Sequence, residues 1–464
     1  MTLPVGQISF GQVNTELGLS ATATISLNDA AVRSLAGVPS GAIAMSNLQG
    51  KSNDPYFMGS LYSGVYGYYT FVDSSGNIYQ NNSTTSPTTI QVVKLDSTAA
   101  LQWQKSLISN NPSYPGNEPA GIVVDSSGNV FELSISAATG VNNVYIAKYN
   151  SSGTLQWQKV YGDASNTTYT NGGGDSPMAI DSGGNPHFVV SNIGNTMGVA
   201  KFNTSGAITW QSYADIGPGS NTQAQVMAID SSDNAYAAGY IYGGEFNGML
   251  VKFNSSGTLQ WVRRTIDPVG YFFSVWYRGV DTDSSGNIYL AAQGNNNTCY
   301  VIKFDSSGNF QWNRRISRTG TTVPRSIAVD ASGNSYTLGG GADFVYVVKY
   351  NSSGTLQWQR SFVSTSIYPV SITLNAAGTN YYINCQFDAA GTSFYAKLPT
   401  DGTKTGTYTV NGQTVTYAAS SLTDSAYTLS TNTPGSSSGT ISRSTSNSSF
   451  TAGTPTKSNS VTNL

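Results

Sequence analysis

One segment recurs seven times between about residue 66 and about residue 410. Each copy runs "xVDSSGNxY", then "VxKF/YxSSG", then "TLQW". The first landmark is Asp73, Asp125, Asp181, Asp230, Asp283, Asp330 and, in a degenerate copy, Asn375. The second is Lys94, Lys148, Lys201, Lys252, Lys303, Lys349 and Lys397. The third is Trp103, Trp157, Trp210, Trp261, Trp312 and Trp358, each nine residues after its lysine. In the seventh copy that position is Gly406. A period near fifty residues built from β-rich segments means a propeller or an array, and seven copies can close a ring.

Each copy reads as four strands. In residues 119–162, "AGIVVD" is a short apolar run, "NVFELSIS" alternates, "NVYIAKYN" is mixed and "TLQWQKVY" alternates again. All are strand-length and rich in Val, Ile, Tyr and Phe. The turns "DSSGN" and "NSSG" supply Asp or Asn to accept local backbone bonds and Gly for positive φ. No segment of the repeat sustains helical spacing. The expected fold is all-β: a seven-bladed β-propeller over 53–410, a small N-terminal anchoring module over 1–52, and a β-hairpin with an extended arm over 411–464.

Only 10% of residues are charged, 29 are Tyr, and Gly, Ser, Thr and Asn abound. Such a composition suits an extracellular or virion protein. The net charge of −2 gives no electrostatic case for nucleic acid or an anionic membrane. No run reaches the ~18 apolar residues of a membrane span. "MTLPVGQISFGQ" has neither a basic nor an apolar region of the kind a signal peptide needs. Assembly in a host cytoplasm followed by lysis would reconcile the composition with that start. Cys299 and Cys385 fall in different copies and are expected to be unpaired, buried small residues.

The first 52 residues have their own grammar. "SLNDAAVRSLAG" reads as a short helix, with Ser26 or Asn28 as its cap, Ala31, Val32, Leu35 and Ala36 as an apolar stripe, and Gly37 as its stop. Over residues 7–52, "QISFGQVNTELGLSATATISLNDAAVRSLAGVPSGAIAMSNLQGKS" resembles an N-terminal module of tailed-phage virion proteins in order, spacing and residue type. The resemblance implies attachment to the particle, with Val32, Arg33 and Leu35 as docking residues. It also implies other virion proteins of the tail, baseplate or neck as partners, and a homo-oligomer in the particle. The blades resemble the bacterial propeller repeat "DssGNvYvaG…fvaKyn.sGt..W", which implies the fold and leaves the function open. "KYNSSGTLQW" is similar to the tryptophan-docking strand of quinone-dependent dehydrogenases. Those enzymes need a calcium site and usually a vicinal cysteine pair, and Cys299 and Cys385 are not vicinal. The Ser/Thr-rich end after Asp424 is similar to the ends of phage fibre proteins. Alone it cannot bury enough surface to offset its ordering entropy, so it is expected to be disordered or held by neighbouring subunits.

Catalytic signals are sparse. His187 is the single histidine, so His-centred triads and multi-histidine metal sites have no material. "DTDSSGN" at 281–287 lacks the later ligands of a calcium loop and reads as a turn. "NGGGDS" at 171–176 is not in a strand–loop–helix setting for phosphate. We expect no enzyme, no cofactor and no metal. A residue present in every blade packs blades, because catalysis needs its residue once. The repeated lysines are therefore expected to cover neighbouring blades and to bond backbone carbonyls or the Asp landmarks, and the tryptophans to pack.

Departures from the repeat point to function. The "DSSGN" and "NSSG" turns are short and constant, and both lie on one face of a propeller. The other connections vary: "SNNPSYPGNEP", "YGDASNTTYTNGGGDSP", "YADIGPGSNTQ", "DPVGYFFSVWYRG". Variable loops are where binding sites sit. The loop leading into the fifth copy carries Tyr271, Phe272, Phe273, Trp276 and Tyr277, and Trp276 is the one Trp outside the repeat position. Aromatic and amide side chains suit a glycan or protein ligand. The ligand-binding residues expected are Tyr271, Phe272, Trp276 and Tyr277, acting on a host cell-surface glycan or protein. The leading expectation is a phage tail or baseplate protein for host attachment. The alternatives are a head or neck decoration protein and a propeller enzyme acting on surface glycans. An enzyme would have to draw its carboxylates from Glu118, Asp163, Asp215, Glu245 and Asp267.

Overall fold

The computed structural model describes residues 9–463 except 18, 37–39, 49–56, 62–64, 85–88, 110–116, 139–140, 162–176, 193–195, 216–220, 243–245, 267–275, 295–297, 321, 342, 388–391, 411, 435–436, 441–444, 448–449 and 454–458. Two short helices come first, α1 (Phe10–Glu16) and α2 (Ala30–Ala36). Ser9 caps α1 reciprocally: its hydroxyl accepts from the Gln12 N–H, and its own N–H donates to Gln12 Oε1 at 2.7 Å. The cap of α2 was expected at Ser26 or Asn28. It is Asp29, whose carbonyl takes the first helical bond from Arg33 and whose carboxylate accepts from the Ser26 N–H. Val13, Val32 and Ala36 form this segment's own small core, with Leu17, Ile25, Leu27, Ile43 and Met45 against it.

A single strand follows, β1 (Phe57–Leu61). Blade 1 is β2 (Val65–Val72), β3 (Ile78–Thr84), β4 (Ile90–Leu95) and β5 (Leu101–Ser109). Blade 2 is β6 (Asn117–Val124), β7 (Val130–Ala138), β8 (Val141–Tyr149) and β9 (Leu155–Tyr161). Blade 3 is β10 (Met178–Ile180), β11 (Pro186–Asn192), β12 (Thr196–Phe202) and β13 (Ile208–Asp215). Blade 4 is β14 (Asn221–Ile229), β15 (Ala235–Tyr242), β16 (Phe246–Phe253) and β17 (Leu259–Ile266). Blade 5 is β18 (Trp276–Thr282), β19 (Ile288–Gln293), β20 (Cys299–Phe304) and β21 (Phe310–Ser317). Blade 6 is β22 (Val323–Val329), β23 (Ser335–Gly341), β24 (Phe344–Tyr350) and β25 (Leu356–Val363). Blade 7 takes β26 (Ile367–Leu374), β27 (Asn380–Phe387) and β28 (Thr392–Pro399) from the end of the repeat and β1 as its fourth strand. The chain is thus all-β, a seven-bladed propeller.

Ring closure corrects one reading of the repeat. The seventh tryptophan position was placed at Gly406. In the structure the seventh fourth strand is β1, and Phe57 faces Lys397 across the pair as Trp358 faces Lys349. The Lys397 ammonium lies over the Phe57 ring at 5.9 Å. The ring is therefore sealed by strand exchange between its two ends, which makes closure a long-range event.

The remaining strands form a girdle. β29 (Gly406–Val410) and β30 (Gln413–Ala419) make a hairpin, and β30 pairs with the outer strand of blade 6. β31 (Thr423–Ser425) then pairs with blade 5, β32 (Ser430–Asn432) with blade 4 and β33 (Ser437–Thr440) with blade 3. β34 (Thr445–Asn447) joins blade 2, β35 (Phe450–Gly453) joins blade 1, and β36 (Asn459–Asn463) pairs with β1. The tail was expected to be disordered or held by neighbouring subunits. Its described strands instead pair with the chain's own blades, running once around the ring against the blade order. Backbone hydrogen bonds do most of the holding, so the tail needs few large side chains. Those it has are anchors. Leu422 and Leu429 are buried in blade cores, and Tyr427 packs on Tyr300 at 5.1 Å. Asp424 pairs with Arg314 and accepts from the Tyr350 hydroxyl at 2.8 Å. Each blade's outer edge is covered, which removes an open template for strand addition.

The landmarks work as the repetition argument requires. Asp73 Oδ1 accepts from the N–H groups of Ser75 and Asn77, and its Oδ2 from the Asn77 amide and the Tyr79 hydroxyl. Asp230, Asp283 and Asp330 repeat this set. Hydrogen bonds to a charged group contribute about 1.5–3 kcal/mol each, so these tight turns are among the stiffest parts of the ring. Between blades, the Trp indole N–H and the Lys ammonium of one blade donate to the same carbonyl in the next. Trp157 and Lys148 both reach Thr204 O, Trp312 and Lys303 reach Ser352 O, and Trp358 and Lys349 reach Thr400 O. The Gly of that same turn lies flat on the indole. At Gly354, φ is +79° and a Cβ would fall 2.8 Å from Trp312. Both backbone conformation and close approach demand glycine there.

Candidate binding face and axial channel

The innermost strands β2, β6, β10, β14, β18, β22 and β26 surround the axis. At the end carrying the Asp turns, a cavity of about 580 Å³ opens along it, lined by apolar residues such as Ile122, Met178, Met227, Val280 and Ile372. The part-buried Asp281 also lines it, its carboxyl pushed up to about 7 by burial. Asp281 Oδ1 accepts from the Thr282 N–H, and Oδ2 accepts from the Val329 N–H of the next blade at 2.8 Å. Both oxygens are thus engaged by backbone, which gives the residue a structural task.

The opposite face carries the variable connections. Of the ligand-binding residues expected there, Tyr271 and Phe272 lie outside the described residues, as does Phe273. Trp276 begins β18, its backbone paired with Gln293. Tyr277 requires correction. It is 0% exposed, its hydroxyl hydrogen-bonds the Thr265 hydroxyl, and its ring packs into the core shared by blades 4 and 5. A Cβ on Gly248 would fall 2.6 Å from that ring, so the fit is tight. The strand simply begins earlier than the repeat pattern suggests, and that places Tyr277 inside.

What this face does expose was missed. Tyr242 is 42% exposed, its ring tilted against Phe246 at 4.7 Å, and Phe246 in turn meets the buried Tyr240 edge-on at 5.0 Å. All three flank one loop of blade 4, and the signal was present as aromatics on both sides of "GGE" in "GYIYGGEFNG". On blades 5 and 6, the Arg318 guanidinium covers the Phe344 ring at 3.9 Å. Arg278, on β18, donates from Nε and Nη2 to Gln293 Oε1.

Of the proposed docking residues, Val32 is 0% exposed and sits in the N-terminal segment's own core, so it cannot itself be a contact surface. Arg33 donates to Asn28 Oδ1 at 2.7 Å and to the Gly41 carbonyl at 3.0 Å, tying α2 to the following turn. Leu35 lies on α2.

His187 stands where the other blades carry an aromatic six residues after the Asp landmark. It is buried against Trp210, and its Nδ1 hydrogen-bonds the Asn185 carbonyl. Burial, with Lys201 adding to it, drives its pKa down to about 4, so the ring is neutral near pH 7. Lys201, lacking the usual aromatic partner, forms an ion pair with Asp181 at 2.7 Å. Cys299 and Cys385 are free and buried. Among the acids an enzyme would need, Asp163, Glu245 and Asp267 lie outside the described residues, Glu118 is exposed at the start of its strand, and Asp215 ends β13. Among the described residues, no three His, Cys, Asp or Glu side chains group to hold a metal ion, and no helix is long and apolar enough to cross a membrane. No family model matches this chain, and no curated protein matches it.

Proposed function

We propose that this chain is a structural component of a tailed-phage particle, anchored by its N-terminal segment to the tail or baseplate. Its propeller displays the variable-loop face to a host-surface glycan or protein. The observation that carries the reading is the pairing of two separate cores. Residues 9–48 form a small core whose sequence resembles a virion module, and the seven blades form their own. Two supports come from the ring. The girdle leaves each blade edge covered, which suits a protein exposed outside a cell. The exposed Tyr242 ring, backed by Phe246 and the buried Tyr240, offers stacking surface on the loop face.

The test is deletion of residues 1–52 in a phage that encodes the chain. The shortened protein should fold, giving the thermal transition of the full ring, yet be missing from purified particles. Normal incorporation would remove the anchor. Particles that lose the protein but adsorb to host cells at the normal rate would favour a decoration role on the head or neck.

A further inference from the structure

Asp281 is a departure from the repeat that occurs once. Two residues before the landmark, the other blades carry Phe71, Val123, Ala179, Ala228, Ala328 and Thr373. Six blades therefore close with an uncharged side chain at this position, and assembly of the ring sets no demand for an acid there. Hydrogen bonds place the carboxylate on the axis. Successive N–H groups of a strand point to opposite edges. The Asp283 N–H bonds the Asn287 carbonyl and the Asp330 N–H bonds the Asn334 carbonyl, both within their own sheets. The preceding N–H groups, of Thr282 and Val329, therefore leave the inner edges of β18 and β22 towards the channel. Asp281 accepts both at 2.8 Å, so its head group lies on the channel wall where blades 5 and 6 meet.

Those two bonds leave the charge unanswered. Each oxygen takes one bond, and an ionised carboxylate has about four acceptor positions. Among the described residues Asp281 forms no ion pair, and the cavity lining contains no Lys or Arg. The other acid of the lining, Asp330, is already committed to its turn, where it accepts from the Ser332 and Asn334 N–H groups, the Asn334 amide and the Tyr336 hydroxyl. The side chains around Asp281 include Met227, Val280, Ile327 and Ile372. A carboxylate among apolar side chains is costly to ionise, and a cation brought against it offsets that cost. The cavity of about 580 Å³ has the size of a small-molecule pocket.

We infer that the axial channel at the Asp-turn end binds an organic ammonium ion, whose charge pairs with the Asp281 carboxylate and whose hydrocarbon body lies against the apolar side chains of the wall. An ammonium group donates up to three hydrogen bonds, which matches the acceptor positions that Asp281 keeps. A bare divalent ion wants six or more oxygen ligands, and one carboxylate among apolar side chains is a poor match for it. The site lies at the opposite end of the ring from the variable loops, so it stands independently of the reading of that face.

The experiment is calorimetric titration of the full chain with hexylammonium, hexanol and hexanoate at low salt and about pH 8, where Asp281 is ionised. Hexylammonium should bind saturably, hexanol about ten-fold or more weakly because it lacks the charge, and hexanoate should not bind. Asp281→Ala copies what blades 3, 4 and 6 carry as Ala179, Ala228 and Ala328, so it should fold, and it should bind hexylammonium no better than hexanol. Asp281→Asn, which keeps an acceptor for a backbone N–H, takes its place if the alanine variant fails to fold. No saturable hexylammonium binding by the unmodified protein overturns the inference. Hexanol binding as tight as hexylammonium overturns the ammonium assignment. A preference for hexylammonium that survives in a folded Asp281 variant removes Asp281 from the site and overturns the inference as well.

Discussion

Glu132 offers the sharpest physical test of the ring. It lies on β7 with its carboxyl wholly buried, next to Tyr149 and the blade 1 amide Asn81. Ser134 donates to Oε2 only at 3.5 Å, and Oε1 has no hydrogen-bond partner among the described residues. Burial raises its pKa from 4.5 to about 8, outweighing the bonds from Ser134 and Asn81 that act the other way. The folded protein therefore binds this proton more tightly than the unfolded chain does. The stability it allows is fully present below pH 4.5 and is lost as pH rises through about 8. At 1.36 kcal/mol per pH unit, the loss between the unfolded pKa and neutrality is roughly 3 kcal/mol. Glu132→Gln keeps the shape and removes the ionisation. Urea unfolding of both proteins, at pH 4.5 and at pH 7.5, measures the difference. The variant should match the parent within about 1 kcal/mol at the acid pH and exceed it by roughly 4 kcal/mol at the higher one. An equal difference at both pH values would refute the reasoning, because packing changes do not titrate.

Two further substitutions probe neighbouring parts of the argument. His187 is buried neutral with its pKa lowered to about 4, so its contribution is intact above the unfolded value of 6.5 and is lost as pH falls through 4. His187→Phe puts there the ring that blade 2 uses, Phe131, and should flatten the acid side of the melting-temperature profile; an unchanged profile would count against the assignment. Tyr277→Ala should cost about 3–5 kcal/mol in unfolding free energy, as expected for a large buried ring, and a melting temperature equal to the parent's would return Tyr277 to the binding surface.

The blades were legible because their signals repeat. An Asp that caps a turn, a Lys and a Trp that share one carbonyl, and a Gly beneath an indole leave the same marks in copy after copy. Features that occur once were not legible. β1 is five residues, "FMGSL", and Phe57 gives no hint that it replaces a tryptophan until Lys397 is seen opposite it. The girdle pairs through backbone, so its Ser and Thr residues look like those of an unstructured tail. Its trace is the spacing of Thr423, Ser430 and Ser437, where the strands begin seven residues apart. Seven extended residues span at most about 25 Å, enough to step between neighbouring blade edges. Tyr277 was misplaced because the aromatic run "YFFSVWY" has no turn residue to mark where β18 begins. The Asp-to-aromatic offset of six would have placed His187 in a blade interface. Glu132 escaped notice because blades bury both faces of each sheet, so alternation does not separate inside from outside.

Deuterium exchange across the full chain tests the closed and girdled ring most directly. Amides of Phe57–Leu61 should be protected together with those of Thr392–Pro399, and protection should recur in Thr423–Ser425, Ser430–Asn432 and Asn459–Asn463. A chain from which residues 421–464 are removed should lose protection along the outer strands of blades 1 to 5 and along Phe57–Leu61, while the inner strands keep theirs. Exchange of the tail at the rate of a free peptide, with outer strands as protected in the shortened chain as in the full one, would contradict the account.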